Sequence, residues 1–228
     1  MYRFVSLGCS LTEQFGYIDY FNSKYNLKIH NIAEAAGSNG LQVLRLNNLL
    51  YKGLVGKNTT LIWQITSLDR HFQLFNEKFV DPDVFVDSQK ASKPPFTIEE
   101  IVPFNVTGIN PLCHSLYWRH KNEFIFKLNL QNILCEIFKY SKIVKNIILH
   151  FGWADLLGLT KSEFDNAMVL INSCPNITVI PVYKSIVDWC KSNNMPFEKD
   201  DWHPTRHSYE VWGQNILEPI LIKEIKDV

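Results

Sequence analysis

The sequence lacks several features that mark common functional classes. Its 23 basic and 23 acidic residues cancel to a net charge of zero, and no lysine- or arginine-rich block stands out, so no nucleic-acid partner is expected. No apolar run approaches the roughly 20 residues of a membrane-spanning helix, and no membrane partner is expected. Residues 1–7 read as a strand and not as a basic segment before an apolar run, so we expect no signal peptide.

Cysteine, nucleotide and metal motifs are also missing. The five cysteines contain no Cys-x-x-Cys pair, and their odd number and wide spacing favour free thiols in a reducing compartment, hence the cytoplasm. Neither the Gly-x-Gly-x-x-Gly nor the P-loop pattern is present. The spacing of His114, His120, His203 and His207 matches no strong metal pattern. We therefore expect neither a metal nor an organic cofactor.

Short β-rich runs alternate with runs of helical periodicity along most of the chain. Continuous apolar strands separated by helices predict a parallel sheet covered on both faces, which is a doubly wound α/β fold. The length of 228 residues fits a single domain spanning residues 1–228. The predicted strands are 2–7, 28–33, 59–67, 146–151 and 176–183, and the predicted helices are 13–25, 39–54, 121–143, 161–173, 185–193 and 205–226.

Residues 70–120 interrupt this alternation. The stretch is rich in proline, aspartate, phenylalanine and asparagine, has weak periodicity, and is far longer than an ordinary connection. We predict a long insertion after strand three that lies over the active-site end of the sheet. Its many aromatic side chains indicate that it packs against another surface of the protein. The alternative is a partly disordered surface loop.

The first chemical motif is the Gly-Cys-Ser-Leu-Thr run at residues 8–12, directly after the first predicted strand. Ligands of an open parallel sheet bind outside the carboxyl ends of its strands, and a serine that starts the next helix exposes its hydroxyl there. Its backbone N–H points into the same site and can stabilise an oxyanion. The alternative is that Ser10 only caps the helix, with Glu13 completing a capping box.

The second motif is the Asp-Asp-Trp-His-Pro run at residues 200–204, just before the final predicted helix. A histidine acts as a base toward serine when a carboxylate holds its far ring nitrogen, and Asp200 precedes His203 by three residues. Alone, the run is equally consistent with an exposed, polar entry to the helix. A serine turn and an Asp-x-x-His pair at opposite ends of an α/β chain are more specific together.

Three blocks resemble those of the SGNH (GDSL-like) hydrolases. Residues 8–12 are similar to the family's Gly-Asp-Ser-Leu-Ser/Thr block, and residues 200–204 to its C-terminal Asp-x-x-His block. Residues 31–40 are similar to the block after the second strand, which supplies an oxyanion-hole glycine, here Gly37. The resemblance covers the order of elements over most of the chain.

The resemblance implies a flavodoxin-like doubly wound parallel sheet and ester or acyl-transfer chemistry without a cofactor. It implies a catalytic triad of Ser10, Asp200 and His203. It also implies an oxyanion hole that includes the backbone N–H groups of Ser10 and Gly37. In this mechanism, the histidine takes the serine proton and the aspartate stabilises the charged imidazole.

The family's Gly-x-Asn-Asp block after the third strand is missing here. Aligned with it, Thr66 replaces the glycine and Leu68 replaces the asparagine whose side chain donates to the oxyanion. Losing one such donor costs roughly two to three decades in rate, so either another group fills the role or the catalyst is slow or specialised. We assign the amide of Asn39 to the oxyanion hole, with the hydroxyls of Thr66 and Ser67 and the guanidinium of Arg70 as further candidates.

Two other residues have open assignments. Cys9 stands where the family has aspartate and is an alternative nucleophile, although its side chain is expected to point differently from that of Ser10. His150 ends a predicted strand. It either faces the cleft or, as we expect, is hydrogen-bonded at the end of the sheet.

These motifs predict a serine hydrolase that acts on carboxylic esters, with a small-molecule or glycan ester as substrate and glycan deacetylation as one form. Arg70 is predicted to bind a substrate anion, and Trp202 to form an apolar or sugar-stacking wall. Two alternatives stay open: a cytoplasmic O-acetyltransferase acting on a sugar through the same triad, and a non-catalytic SGNH-fold binding module. The sequence does not predict the oligomeric state.

Overall fold

The computed structural model describes residues 1–13, 16–33, 39–66, 71–73, 102–104, 123–153, 160–199 and 203–226, with the backbone alone at 71–73, 102–104, 123–128 and at residues 13 and 226. The strands are β1 (Phe4–Leu7), β2 (His30–Asn31), β3 (Thr60–Ile65), β4 (His71–Gln73), β5 (Val102–Phe104), β6 (Asn146–Phe151) and β7 (Ile177–Val179). The α-helices are α1 (Ser10–Glu13), α2 (Tyr17–Tyr25), α3 (Asn39–Tyr51), α4 (Glu123–Ser141), α5 (Lys161–Asn172), α6 (Ile186–Ser192), α7 (Arg206–Trp212) and α8 (Glu218–Lys226).

Five of the strands form one parallel sheet in the order β2-β1-β3-β6-β7. The chain starts at β1, moves outward to β2, and then returns past β1 to β3. This is the strand order of a flavodoxin-like sheet, in which ligands bind at the carboxyl edge where the winding reverses, between β1 and β3. The predicted doubly wound parallel fold is confirmed.

Each face of the sheet buries its own core. On one face, alternate strand residues such as Leu61, Trp63 and Leu149 pack with helices α3, α4 and α5. On the other, Phe4 and Ile62 pack with helices α1, α2, α6, α7 and α8. Because strand side chains alternate between faces, an apolar strand covered on both sides needs hydrophobic residues at nearly every position. Polar residues inside these strands therefore stand out.

Several element boundaries differ from the sequence prediction for local reasons. The predicted helix 13–25 is two helices, because Gly16 at φ 97° breaks the chain before α2. The predicted strand 28–33 is reduced to two residues after Lys28 at φ 53°. The strand predicted at 176–183 ends at Val179, and Val182–Lys184 form a 3₁₀ turn instead.

The predicted final helix contains a π-helical segment, Gly213–Leu217, between α7 and α8. A side chain at Gly213 would meet the Cβ of Tyr17 at 2.8 Å, so this glycine lets α2 approach the final helical segment closely.

The structure describes only two pieces of the predicted insertion at 70–120. These are β4 and β5, which pair antiparallel in a separate two-stranded sheet, and β4 lies beside α3. The placement of the insertion over the active-site end concerns residues outside the described part and stays a prediction. Among the helices that the structure describes, none is long and apolar enough to cross a membrane.

Candidate active site

Ser10 lies at the carboxyl edge of the sheet, next to the point where the winding reverses. It is the first residue of α1 and follows β1 by three positions, and its side chain is largely buried, with 5% exposure. Its Oγ is 2.8 Å from Nε2 of His203, which is 193 residues away in sequence. The structure thus brings together the two most distant predicted site residues that it describes.

His203 lies just before α7, in a segment that pairs with residues 197 and 198. Phe197 and Pro204 form an isolated antiparallel bridge, and the Glu198 N–H donates to the His203 carbonyl at 2.8 Å. Thr205 then caps α7 by accepting a hydrogen bond from a backbone N–H of its first turn. Backbone pairing on both sides therefore places the imidazole, which is partly exposed.

The turn that carries Ser10 packs against the carboxyl end of β3. Leu7 pairs with Trp63 in the parallel register, which brings the following Gly8 beside Gln64. A side chain at Gly8 would meet Thr12 Oγ1 at 2.3 Å and Gln64 Oε1 at 2.4 Å. Gly8 is therefore required for steric reasons and not by an unusual φ, because two polar groups occupy the space where a Cβ would lie.

A chain of buried polar side chains runs beneath this turn. Gln64 pairs in register with His150 on β6, and both side chains are fully buried. Thr12 donates its hydroxyl to Gln64 Oε1 at 2.9 Å and accepts from the Tyr17 hydroxyl at 2.8 Å. The Tyr17 oxygen lies 3.3 Å from His150 Nε2. Since the Tyr17 hydroxyl donates its hydrogen bond to Thr12, the Tyr17 oxygen is free to accept a hydrogen bond from the Nε2–H of neutral His150.

Burial keeps the side chains of His150 and Tyr17 uncharged. It lowers the pKa of His150 to about 3, since desolvation disfavours the imidazolium. It also raises the pKa of Tyr17 well above its usual range. The His150 ring packs against Trp212, with ring centroids 5.3 Å apart. The expectation of a hydrogen-bonded histidine at the end of the sheet agrees with this geometry.

A second side chain fastens the turn from the β2 side. Asn31 Nδ2 donates to the Thr12 carbonyl at 3.2 Å, and Asn31 Oδ1 accepts from the Ser6 hydroxyl at 2.8 Å. The turn is thus tied to both strands that flank β1.

Asn39, predicted as an oxyanion donor, is bonded to the end of β3. Its Oδ1 accepts from the Thr66 backbone N–H at 2.9 Å and from the Thr66 hydroxyl at 3.2 Å, and its Nδ2 donates to the Thr66 carbonyl at 3.2 Å. The Thr66 hydroxyl proton is directed to Asn39 in this arrangement. Of the two Nδ2 hydrogens of Asn39, one is taken by Thr66.

Cys9, the alternative nucleophile, has a buried side chain directed away from the site. Its backbone N–H donates to Gln64 Oε1 at 3.0 Å, and its Sγ lies 3.5 Å from the same oxygen. The thiol belongs to the apolar cluster around Phe4 and Leu11. As expected, Cys9 and Ser10 point in different directions from the same turn.

Four predicted site residues lie outside the described part of the chain: Asp200, Gly37, Arg70 and Trp202, and so do Leu68 and Ser67. Their assignments stay predictions. Gln64 and Thr12, in contrast, were not singled out from the sequence as site residues. The available signal for Gln64 was a single amide in a strand whose six residues are otherwise apolar except at its first position.

Comparison with solved structures finds similar folds at low sequence identity. The lipase Lip_vut3 from a goat rumen metagenome matches with a TM-score of 0.51 and 14% identity over 94% of this chain and 95% of its own. The YXIM protein of Bacillus subtilis matches with a TM-score of 0.51 and 11% identity over 99% of this chain and 58% of its own. A catalytic mutant of the acetylxylan esterase Axe2 of Geobacillus stearothermophilus gives a TM-score of 0.42 at 11% identity over 97% of this chain and 93% of its own. At these identities the likeness to the lipase and to the YXIM protein concerns the fold alone.

Sequence comparisons add no family assignment. No protein-family model matches the chain, and no curated protein matches it. Membership of the SGNH hydrolases therefore stays a prediction. Within the described ranges, no three histidine, cysteine, aspartate or glutamate side chains form a group that could hold a metal ion.

Proposed function

We propose that this protein is a serine hydrolase that cleaves carboxylic esters, with Ser10 as nucleophile and His203 as general base. The observation that supports it best is the 2.8 Å contact between Ser10 Oγ and His203 Nε2. A hydroxyl at the carboxyl edge of a parallel sheet, within hydrogen-bond distance of an imidazole, has the geometry of an activated nucleophile. The lipase with a similar fold is an ester hydrolase, which is consistent with the proposal.

In the proposed reaction, Nε2 of His203 takes the Ser10 proton as Oγ bonds to the ester carbonyl carbon. The tetrahedral oxyanion then collapses, the bond to the leaving alcohol breaks, and His203 gives its proton to the alcohol oxygen. A water molecule next attacks the acyl-serine while His203 accepts its proton. Release of the carboxylic acid breaks the bond to Oγ, which regains the proton from His203.

The remaining roles are assigned from the sequence. Asp200 is proposed to hold the far nitrogen of the imidazole and to stabilise its charged form. The backbone N–H groups of Ser10 and Gly37 are proposed to bind the oxyanion, together with the Asn39 Nδ2 hydrogen that Thr66 does not take. Arg70 and Trp202, the last two candidates, are proposed to contact a small-molecule or glycan ester.

Labelling with a fluorophosphonate, followed by peptide mapping, tests the proposal. We expect covalent modification of Ser10 in the wild-type protein, none in Ser10→Ala, and a labelling rate lower by at least about three decades in His203→Ala. Hydrolysis of a small aryl ester should follow the same pattern. Cys9→Ala is the matched control on the same turn and should retain labelling.

Each contrary result has a distinct meaning. A folded wild-type protein that neither labels nor hydrolyses the ester would overturn the proposal in favour of a non-catalytic binding module. Labelling at Cys9 would move the nucleophile by one residue. Product formation that depends on an added sugar acceptor would replace hydrolysis by acetyl transfer on the same residues.

A further inference from the structure

We infer that Gln64 is a positioning residue for the nucleophile: its side-chain oxygen fixes the turn that carries Ser10 from beneath. The catalytic meaning of this inference rests on the function proposed above. Gln64 lies on β3, more than fifty residues from the turn in sequence, and its side chain is fully buried.

The orientation of the Gln64 amide follows from its partners. The Cys9 backbone N–H, 3.0 Å away, can only donate a hydrogen bond, so the atom facing it must be the amide oxygen. The same oxygen accepts from the Thr12 hydroxyl at 2.9 Å. Besides the Cys9 thiol, which lies 3.5 Å away, a single acceptor therefore holds these two donors of one turn.

These two donors lie on either side of the nucleophile. Cys9 precedes Ser10, Thr12 follows it by two residues, and the Thr12 N–H donates back to the Cys9 carbonyl at 2.8 Å. The Gln64 oxygen thus fixes both ends of the segment that contains the Ser10 backbone. A shift of either end would move Oγ relative to His203, and a displacement of about 1 Å in a catalytic geometry can cost about 100-fold in rate.

The nitrogen of the Gln64 amide indicates that this residue is not optimised for stability. Within the described structure, Gln64 Nε2 is buried without a hydrogen-bond partner. It lies where a side chain on Gly152 would meet it at 2.8 Å, so both Gly8 and Gly152 leave room for the amide. An unsatisfied buried donor is unfavourable. An apolar side chain would avoid that cost but would leave the Cys9 N–H without its acceptor.

The test compares Gln64→Met and Gln64→Glu with the matched control Asn176→Ala. Methionine keeps the length and burial of the side chain but removes the acceptor, whereas a protonated glutamic acid keeps an acceptor oxygen in place. The Asn176 amide also donates to main-chain groups, including the Ser141 carbonyl at 2.8 Å, but at the opposite end of the sheet. Two readouts are measured on the folded variants: hydrogen exchange of the Cys9 amide, and the rate of fluorophosphonate labelling at Ser10.

In Gln64→Met we expect Cys9 exchange to accelerate at least about tenfold and labelling to slow by about 10- to 100-fold. The KM for a small aryl ester should stay within about twofold, since Gln64 lies beneath the turn. Compared with the wild type at the same pH, Gln64→Glu should label at a similar rate where its carboxyl keeps the proton, and more slowly at higher pH, where a buried charge would disturb the turn. Asn176→Ala should leave both readouts unchanged.

The inference and the proposed function fail separately. Unchanged Cys9 exchange in Gln64→Met, or wild-type labelling despite faster exchange, would overturn the positioning role. An equal loss of labelling in Asn176→Ala would also overturn it, because the effect would then follow general destabilisation. A wild-type protein that never labels would overturn the proposed function, whereas the exchange measurement would still decide whether Gln64 holds the turn.

Discussion

Ser10 and His203 meet at one hydrogen bond but are held in place by different means. The turn that carries Ser10 is anchored by side chains from other parts of the fold, Gln64 on β3 and Asn31 on β2. In the described part of the loop that carries His203, backbone bonds join Phe197 to Pro204 and their neighbours, and the Ser208 hydroxyl at the nearby start of α7 donates to the Pro196 carbonyl at 2.6 Å. The serine depends on residues that are distant in sequence, and the histidine on contacts with residues nearby in sequence.

This difference determines which substitutions should change the reactivity of Ser10. Gln64, the anchor on β3, is fully buried in a close-packed interior, where a change of one atom is transmitted to its neighbours, whereas Asn31 on β2 is exposed. The histidine loop is partly exposed, so water can replace a lost hydrogen bond there. Substitutions beneath the serine turn should therefore change reactivity and stability together, whereas equivalent substitutions near the histidine loop should change stability alone.

The largest effect on reactivity is expected from Gly8→Ala. The added Cβ would lie 2.3 Å from Thr12 Oγ1 and 2.4 Å from Gln64 Oε1, so the turn or its anchor must move. Overpacking of this kind costs about 1–3 kcal/mol or more, and the shifted turn should lower the labelling rate by about 100-fold. Chemical denaturation and labelling kinetics measure the two effects.

Gly56→Ala is the control for this substitution. The nearest atom to its new Cβ is the tip of Met1 at 3.1 Å, and Met1 is an exposed, flexible side chain. We expect a change within about 0.5 kcal/mol and normal labelling. A Gly8→Ala protein that labels at the wild-type rate would show that the turn does not need its buried anchor.

The fold was predictable because its signal is periodic and strong. Leu61 to Ile65 and Ile147 to Phe151 read as apolar strands between amphipathic helices, and the parallel sheet follows from that pattern. Boundaries were less predictable. The break before α2 depends on the left-handed φ of Gly16, and the short β2 on the positive φ of Lys28; these are local backbone choices that hydrophobic periodicity does not encode.

The candidate site was predictable only where a short motif marks it. Ser10 and His203 stand in recognisable blocks, and the structure brings them together. Gln64 acts through a register that places it beside Gly8 and opposite His150, and a register between distant strands cannot be read from either strand alone. Thr12 likewise forms its two side-chain hydrogen bonds only when the fold brings Gln64 and Tyr17 beside it.

A second prediction concerns acid stability on the serine side. His150 is fully buried with a pKa of about 3, whereas in the unfolded chain it titrates near 6.5. Between about pH 6.5 and pH 3, the unfolded chain binds a proton at this histidine that the folded protein does not bind. Stability should therefore fall as the pH drops from about 6.5 toward 3, by up to about 1.4 kcal/mol per pH unit.

The variant His150→Gln keeps a donor for Tyr17 but removes the titration. We expect it to lose this part of the acid slope, measured by urea denaturation between about pH 4 and pH 8, although its stability at neutral pH falls. His30→Gln is the comparison on β2, because burial also lowers the pKa of His30 but the ring is only partly buried. It should remove a smaller part of the slope. Identical slopes in wild type and His150→Gln would exclude a buried neutral imidazole at this position.

The smallest effects come from one substitution made on both sides, Thr12→Val and Thr205→Val. Valine keeps the shape of threonine and removes the hydroxyl. At Thr12 this takes away the acceptor of the Tyr17 hydroxyl and the hydroxyl donor to the buried Gln64 oxygen, which should cost about 1–3 kcal/mol and slow labelling of Ser10 several-fold. At Thr205 it removes the cap of α7, which should cost about 1 kcal/mol. Labelling should then stay near the wild-type rate, since the backbone bonds of the histidine loop remain.

Equal losses of reactivity in the two variants would mean that both sides of the site respond to stability alone. The distinction between a buried anchor of Ser10 and the locally held loop of His203 would then not hold.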